Sequence, residues 1–364
     1  MDEAAFITTA EAARRLGVKP ATLYAYVSRG LLRAHRPSGQ KQSLYERQEV
    51  EQLARSHSSA RRESPNLLRF RAVVSRVSHL DENSLTLRDQ PIEQLCGHVS
   101  FAQAARTVLA RPNAPVITLR LPPTQQALVD ALPLPRRLPV ALALWGAADP
   151  QRASLDADRH AGLSLGLIDA APALAGPALE LSAPTVQALL VCLIDNGLAA
   201  STTAARVAAS ARAGWYDVQA AGLGALAGQL HGAAPEQARE VLRQLMRGEA
   251  ADAVAAQWVD AVGHVPGFGH SVYRGDDPRA RALRAVLARL GQGDAALDAL
   301  ARLQRTLQRP LNVDALSAVI CEAHALPEQA GEFLFQLARS VGIAAHALEE
   351  YGEAPLRWRA RGTV

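Results

Sequence analysis

Lysine is almost missing from this chain. Of its 39 Lys and Arg residues only Lys19 and Lys41 are lysine, so the basic charge is nearly all guanidinium. Aromatic residues make up 4% of the sequence, which leaves alanine and leucine to fill the interior and points to helix packed on helix. Cysteine is scarce too. Cys96, Cys192 and Cys321 lie far apart, are odd in number and form no Cys-x-x-Cys pair. That excludes a disulfide framework and predicts buried thiols in a reducing compartment. No apolar run approaches the roughly eighteen residues that a membrane span needs; residues 138–148 are about the longest. Met1-Asp2-Glu3 is acidic with no apolar segment behind it, which predicts no secretory leader. There is no glycine-rich phosphate loop after a strand, no sustained β alternation and no tandem repeat. What remains is a soluble, cytoplasmic chain whose 364 residues suggest two or three domains.

Charge is concentrated at one end. Residues 1–65 hold 11 Lys+Arg against 7 Asp+Glu, and the remainder holds 28 of each, so the net +4 sits in the first segment. Local positive charge attracts phosphate backbones, although a solvated surface accounts for it equally well. Thr8-Thr9-Ala10-Glu11 has the pattern of a capping box before a short helix over 10–16, with Gly17 as its stop. Lys19-Pro20 starts a second helix toward Ser28, with Leu23 and Val27 on the inner face and Lys19, Thr22 and Arg29 outward. Residues 31–35 and 43–45 flank a basic tip containing Lys41, which reads as a small hairpin, and 49–54 as a third helix. Residues 8–54 resemble the winged helix-turn-helix of the MerR and excisionase families, above all in Glu11-Ala-Ala-Arg-Arg-Leu-Gly-Val18 and Ala21-Thr-Leu-Tyr24. The resemblance implies a domain over 1–56 that binds double-stranded DNA, with Lys19, Thr22, Arg29 and Lys41 as candidate contacts. A small helical interaction module is the alternative. Residues 57–66 are polar and read as a linker. Residues 67–77 and 85–87 alternate in hydropathy and predict a short strand pair.

Beyond residue 100 the pattern is helical and punctuated by proline. Helices are expected over 185–194, 237–247, 278–290, 295–307, 315–325 and 332–347, with Ser201-Thr202-Thr203 capping another. The densest chemistry lies in Pro266-Gly-Phe-Gly-His270-Ser-Val-Tyr273-Arg-Gly-Asp-Asp277-Pro-Arg279-Ala280. Gly267 and Gly269 permit positive φ or close approach of a ligand. His270 is of the one side-chain type here that titrates near neutrality without help from its surroundings, and Asp277-Pro278 starts a helix with Arg279 in its first turn. This is a loop suited to hold a histidine and an arginine against an anion; a tight turn with a structural histidine is the plainer alternative. His231 follows a helix of small residues. Asp314 precedes a helix, where it also suits an N-cap. Arg339 lies in the last helix and Arg357 in the tail.

Taken in order, Leu230-His231-Gly232, Pro266-Gly-Phe-Gly-His270 with Asp277-Pro-Arg279-Ala280, Asn312-Val-Asp314, the segment from Leu337 through Arg339 and His346 to Glu349, and Arg357-Trp-Arg359 resemble citrate synthase. The resemblance covers roughly residues 67–364. It implies an all-α, two-domain helical fold preceded by the small winged domain, with a large domain of 67–232 plus 326–364 and a small domain of 233–325. It implies a homodimer with the active site in the cleft. Bond formation from an acyl thioester needs a base for a weakly acidic C–H, donors on two carbonyl oxygens and cations for carboxylates. By the resemblance Asp314 is the base, His231 the donor to the thioester and His270 the donor to the keto oxygen. Arg279 and Arg339 grip carboxylates, and Arg357 completes the grip across the dimer. Asn196 stands where the family carries a substrate-binding histidine; it can hydrogen-bond without carrying charge. Ser271, Pro235 and Trp358 also depart from the family pattern. The implied function is an acyltransferase of the tricarboxylic acid cycle type. It would condense acetyl-CoA or propionyl-CoA with oxaloacetate or a related 2-keto acid, with acyl-CoA as substrate, no permanently bound cofactor and no metal. The alternative is a DNA-binding regulator whose second part senses a CoA thioester or a carboxylate.

Overall fold

The computed structural model describes residues 73–358 throughout and, before them, residues 6–16, 18, 23, 27, 32, 34–35, 43–47 and 50. The chain divides into two compact units, Met1–Val73 and Val74–Val364.

In the first unit Phe6–Thr8 leads directly into the helix Thr9–Leu16, and Leu44–Glu46 is the middle strand of an antiparallel sheet between Phe6–Thr8 and Ala34–His35. Ile7 and Ala34 both register on Tyr45. Ile7, Ala12, Ala13, Leu16, Leu23, Leu32, Tyr45 and Val50 form one small core. The expected capping box is half made. Thr8 Oγ1 accepts from the Glu11 N–H at 3.3 Å, but the Glu11 carboxylate turns to Arg14 and Arg15, where opposite charge outcompetes a backbone N–H. The candidate DNA contacts Lys19, Thr22, Arg29 and Lys41 lie outside the described residues.

The second unit opens with an antiparallel hairpin of Ser78–Leu80 and Leu85–Leu87, extended by Gln90–Pro91. The strand expected before it is not there over 73–77, and 67–72 lie outside the described residues. Two local contacts account for the shift. Asp81 Oδ1 accepts from the N–H groups of Asn83 and Ser84, each at 2.8 Å, which tightens the turn onto Ser78–Leu80. Meanwhile the Arg76 N–H donates to Glu349 Oε1 at 2.9 Å instead of to a strand.

Around the hairpin the unit is helical. Its axis is Ala330–Tyr351, in which every residue from Phe333 to Ala347 is buried, the polar Gln336, Arg339, Ser340 and His346 among them. Phe101–Leu109, Leu134–Ala148, Ala157–Ala175, Pro184–Leu193, Ala200–Ser210 and Trp215–Leu226 all pack against it. Gly342 sets the closest approach: a Cβ there would lie 2.3 Å from the Ile194 carbonyl oxygen and 3.1 Å from Asp195 Oδ1. The missing side chain is what lets Arg339, one turn earlier, reach the end of Pro184–Leu193. Ala234–Met246 packs against Ala251–Val262, Asp294–Leu307 and Val313–Ala323, while Pro278–Leu290 and Val313–Ala323 pack on each other and on Pro184–Leu193, and Ala234–Met246 and Val313–Ala323 also meet Ala330–Tyr351. Cys96, Cys192 and Cys321 are free and buried. Among the described residues no helix is long and apolar enough to cross a membrane, and no cluster of His, Cys, Asp or Glu could hold a metal ion.

Candidate active site

The glycine loop is a short extended segment held at both ends. Gly267 and Gly269 have φ of 86° and 76°, values that residues with a Cβ rarely adopt. A Cβ on Gly267 would meet those of Ala315 and Ala238 at 3.1 and 3.3 Å. Between them Phe268 bridges Leu311, the Gly269 N–H donates to the Pro310 oxygen at 2.8 Å, and the Asn312 N–H donates to the Gly267 oxygen at 3.0 Å. The loop carrying His270 is thereby tied to the loop that leads into Asp314.

Asp277 locks this pairing. Its side chain caps Pro278–Leu290 through the Arg279 N–H at 2.9 Å and forks onto the Arg279 guanidinium at 3.0 and 2.8 Å. It also accepts from the Val313 N–H at 3.1 Å. At the next helix the N-cap is Asn312, whose Oδ1 accepts from the N–H groups of Asp314 and Ala315 at 2.9 and 3.4 Å. Asp314 therefore sits one position inside the first turn with its carboxyl free of capping duty. It keeps some accessible surface, yet the packing around the carboxyl pushes it up to about 6 from its ordinary value; Arg279 pulls it down and Asp277 raises it.

Both histidines are held neutral. At His270 the N–H groups of Val272 and Tyr273 point at Nδ1 from 3.0 and 3.4 Å. Nδ1 is thus the acceptor, the ring proton stays on Nε2, and Arg279 Nη2 lies 3.4 Å from that nitrogen. Burial first, and Arg279 second, push His270 down to about 4. His231 emerges after Trp215–Leu226 in a turn closed by the Gly232 N–H on the Leu226 oxygen at 2.7 Å. Its Nε2 is 2.9 Å from the buried hydroxyl of Ser201, and its ring stands edge-on to Phe335 at 5.3 Å. Burial, then Arg339 and Arg279, push it down to about 4 as well. Ser201 is not the expected cap: the helix is Ala200–Ser210 with Ala199 as N-cap, so the hydroxyl is inside the first turn and free to hold His231.

Arg339 is buried to 1% exposure. Its Nε donates to the Leu193 oxygen at 3.1 Å and its guanidinium lies 5.1 Å over the Phe335 ring. Arg339 Nη1 and Asp195 Oδ1 approach to 4.0 Å, and both atoms are buried without a hydrogen-bond partner. Burial lowers Arg339 to about 10, so it stays charged at neutral pH. Asp195 is itself anchored by the Ser78 hydroxyl and by His346 Nε2 at 3.3 Å. The charge of Arg279 reaches His231, His270, Asp314 and Arg339. His270 lies against Arg279, and His231 and Arg339 both pack on the Phe335 ring, so with Asp314 they form one cluster around the Arg279 guanidinium.

Two sequence candidates sit differently. Asn196 Oδ1 accepts from the Tyr273 hydroxyl at 2.6 Å, at the edge of the cluster beside His270. Arg357 is not in the cluster within one chain. Its Nε and Nη2 fork onto Glu350 at 2.6 and 2.7 Å, eleven residues past Arg339, or about 16 Å along the helix. Trp358 Nε1 donates to the same carboxylate at 2.9 Å. Ser271 is exposed. Sequence reasoning missed Tyr273, Asp195, Asp277, Ser201 and Phe335 as parts of the site. Of these Tyr273 and Asp277 lay inside the glycine motif and Ser201 in an expected cap, while Asp195 and Phe335 carried no signal.

A family model described as citrate synthase, C-terminal domain, matches residues 125–361, and one described as a helix-turn-helix domain matches residues 6–58. Among curated relatives, a putative citrate synthase 2 of Mycobacterium tuberculosis is 34% identical over 174 residues, covering 45% of this chain and 47% of that protein. The citrate synthase of Haloferax volcanii is 34% identical over 198 residues, 50% of this chain and 51% of its own length. The chain spans about half the length of the curated relatives it matches. Among solved structures, the citrate synthase of Thermotoga maritima superposes with a TM-score of 0.66 at 20% identity, over 81% of this chain and 93% of that one. The Thermoplasma acidophilum citrate synthase, solved as a ternary complex with carboxymethyl coenzyme A and oxaloacetate, gives 0.67 at 19% identity, over 80% and 93%. At these identities the structures speak to the fold.

Proposed function

The chain belongs to the citrate synthase family, and from that footing we propose that it condenses an acyl-CoA, acetyl-CoA or propionyl-CoA, with oxaloacetate or a related 2-keto acid. The observation that carries the reading is one carboxyl and two imidazoles gathered around Arg279 and Arg339, with protonation states to match. A carboxyl poised at about 6 lies in one cluster with two imidazoles held neutral at about 4. At pH 7 that set is one base and two neutral donors, as enolisation and carbonyl attack require.

The geometry supports one order of steps. Asp314 takes a proton from the carbon next to the thioester carbonyl. With the Ser201 hydroxyl donating to His231 Nε2, the ring proton of His231 lies on Nδ1 and stabilises the developing enolate oxygen. His270 Nε2–H, beside Arg279 Nη2, polarises the keto oxygen as the new carbon–carbon bond forms. Hydrolysis of the resulting thioester releases CoA. Arg339 Nη1 holds a carboxylate of the acceptor, and Arg279 presents its charge beside it. Acyl-CoA is a substrate on this reading, with no resident cofactor. Residues 233–325 would close on the rest to exclude water, and Arg357 would join the site only from a second copy in a homodimer.

The pH profile tests the reading. Asp314 must be ionised and both histidines neutral, so release of CoA with 2-keto acids rises with pH through about 6 and then levels toward pH 8. A profile that falls between pH 5 and 7 contradicts it.

A second reading is compatible with the first: the N-terminal unit binds duplex DNA. It rests on the helix-turn-helix match and on the excess positive charge of residues 1–65. Binding of the full chain to a labelled duplex should weaken steeply between 50 and 200 mM salt. No shift of any duplex at low salt would remove this reading.

A further inference from the structure

Tyr273 is 2% exposed and is fixed on three sides. Its ring lies 4.6 Å from that of His270, tilted by 33°, with the Arg279 guanidinium 5.8 Å away on the ring face. Its N–H points at His270 Nδ1, and its hydroxyl donates to Asn196 Oδ1 at 2.6 Å. The ring cannot swing without unstacking His270. Burial pushes the phenol well above its ordinary value, so it always has a proton to donate.

The backbone immediately after Asn196 is held in place. The Gly197 N–H donates to Ser78 Oγ at 3.0 Å and to Asp195 Oδ2 at 3.2 Å, and the Thr202 hydroxyl donates to the Gly197 oxygen at 2.9 Å. With the backbone held and Oδ1 accepting from Tyr273, the planar amide has one remaining face: the two N–H donors of Nδ2. Among the described residues no other side chain hydrogen-bonds this amide.

We propose that Tyr273 is a positioning residue that sets acceptor specificity, by holding Asn196 with its N–H pair toward the 2-keto acid. This rests on the acyl-transfer reading. The acceptor then meets a neutral double donor at this wall, which binds an oxygen and rejects an alkyl group in its place. A site built to hydrogen-bond a substrate discriminates strongly against the analogue that lacks the partner.

Tyr273→Phe keeps the stack on His270 and removes only the hydroxyl. In the full chain, calorimetric Kd for oxaloacetate should rise about tenfold. The preference in kcat/KM for oxaloacetate over 2-ketobutyrate, which has a methyl group in place of the distal carboxylate, should fall by a similar factor. KM for acyl-CoA and the pH limb near 6 should not move. A merely structural residue would instead shift both KM values and kcat together. Asn196→Asp keeps an acceptor for Tyr273 but replaces the donors with a carboxylate, and should weaken oxaloacetate about a hundredfold. Unchanged oxaloacetate affinity in either variant, or no oxaloacetate binding by the unsubstituted chain, overturns the proposal. If the chain binds oxaloacetate but releases no CoA with any acceptor, the acyl-transfer reading fails while the binding comparison still decides the role of Tyr273.

Discussion

Asp314→Asn lowers CoA release about a thousandfold, within the range of roughly 10²–10⁴ that a positioned general base supplies. The substitution is nearly isosteric. It leaves Asn312 as the cap of Val313–Ala323 and leaves the Arg279–Asp277 fork untouched. Folding should not suffer. The folded-state value of Asp314 is raised, so its charged form is disfavoured in the fold, and that penalty grows as pH climbs from the unfolded value through about 6. A neutral amide removes the penalty at pH 7. Activity is therefore lost in a protein at least as stable as its parent, a combination that thermal melts and CoA release measured side by side will reveal.

The second large effect is expected at Arg339. Arg339→Lys keeps a cation but cannot place one donor on the Leu193 oxygen and another toward a ligand in the rigid geometry of a guanidinium. Loss of one charge-assisted hydrogen bond is worth about 1.5–3 kcal/mol, so KM for the 2-keto acid should rise between about tenfold and a hundredfold. KM for acyl-CoA should stay within about twofold. Lysine is preferred to an apolar replacement because Asp195, buried 4.0 Å away, would otherwise lose its nearest guanidinium. Equal increases in both KM values would place Arg339 outside the acceptor site.

Much of this site is written in local sequence. Pro278–Leu290 begins where Asp277-Pro278 says it should, because capping is decided within a few residues. The glycines flanking Phe268 were legible for the same reason, whereas His231, His270 and Asp314 came together only through the resemblance to citrate synthase. What could not be read depends on contacts between distant segments. Asn312 took the capping role that also suited Asp314. Ser201 turned from a cap into the partner of His231, thirty residues on. Tyr273 and Asn196 meet across 77 residues, and Ser75 reaches Glu349 across 274. No periodicity announces such pairs. Arg357 illustrates the limit from the other side: its motif suggested a carboxylate ligand, and within one chain that carboxylate is Glu350.

The most direct measurement is the mass of the product formed from acetyl-CoA and oxaloacetate. If Asp314, His231 and His270 act as base and donors, a single new acid appears whose mass is that of both carbon skeletons joined, in step with free CoA and only when the keto acid is present. Free CoA accompanied by acetate alone, at a rate indifferent to the keto acid, would contradict the account.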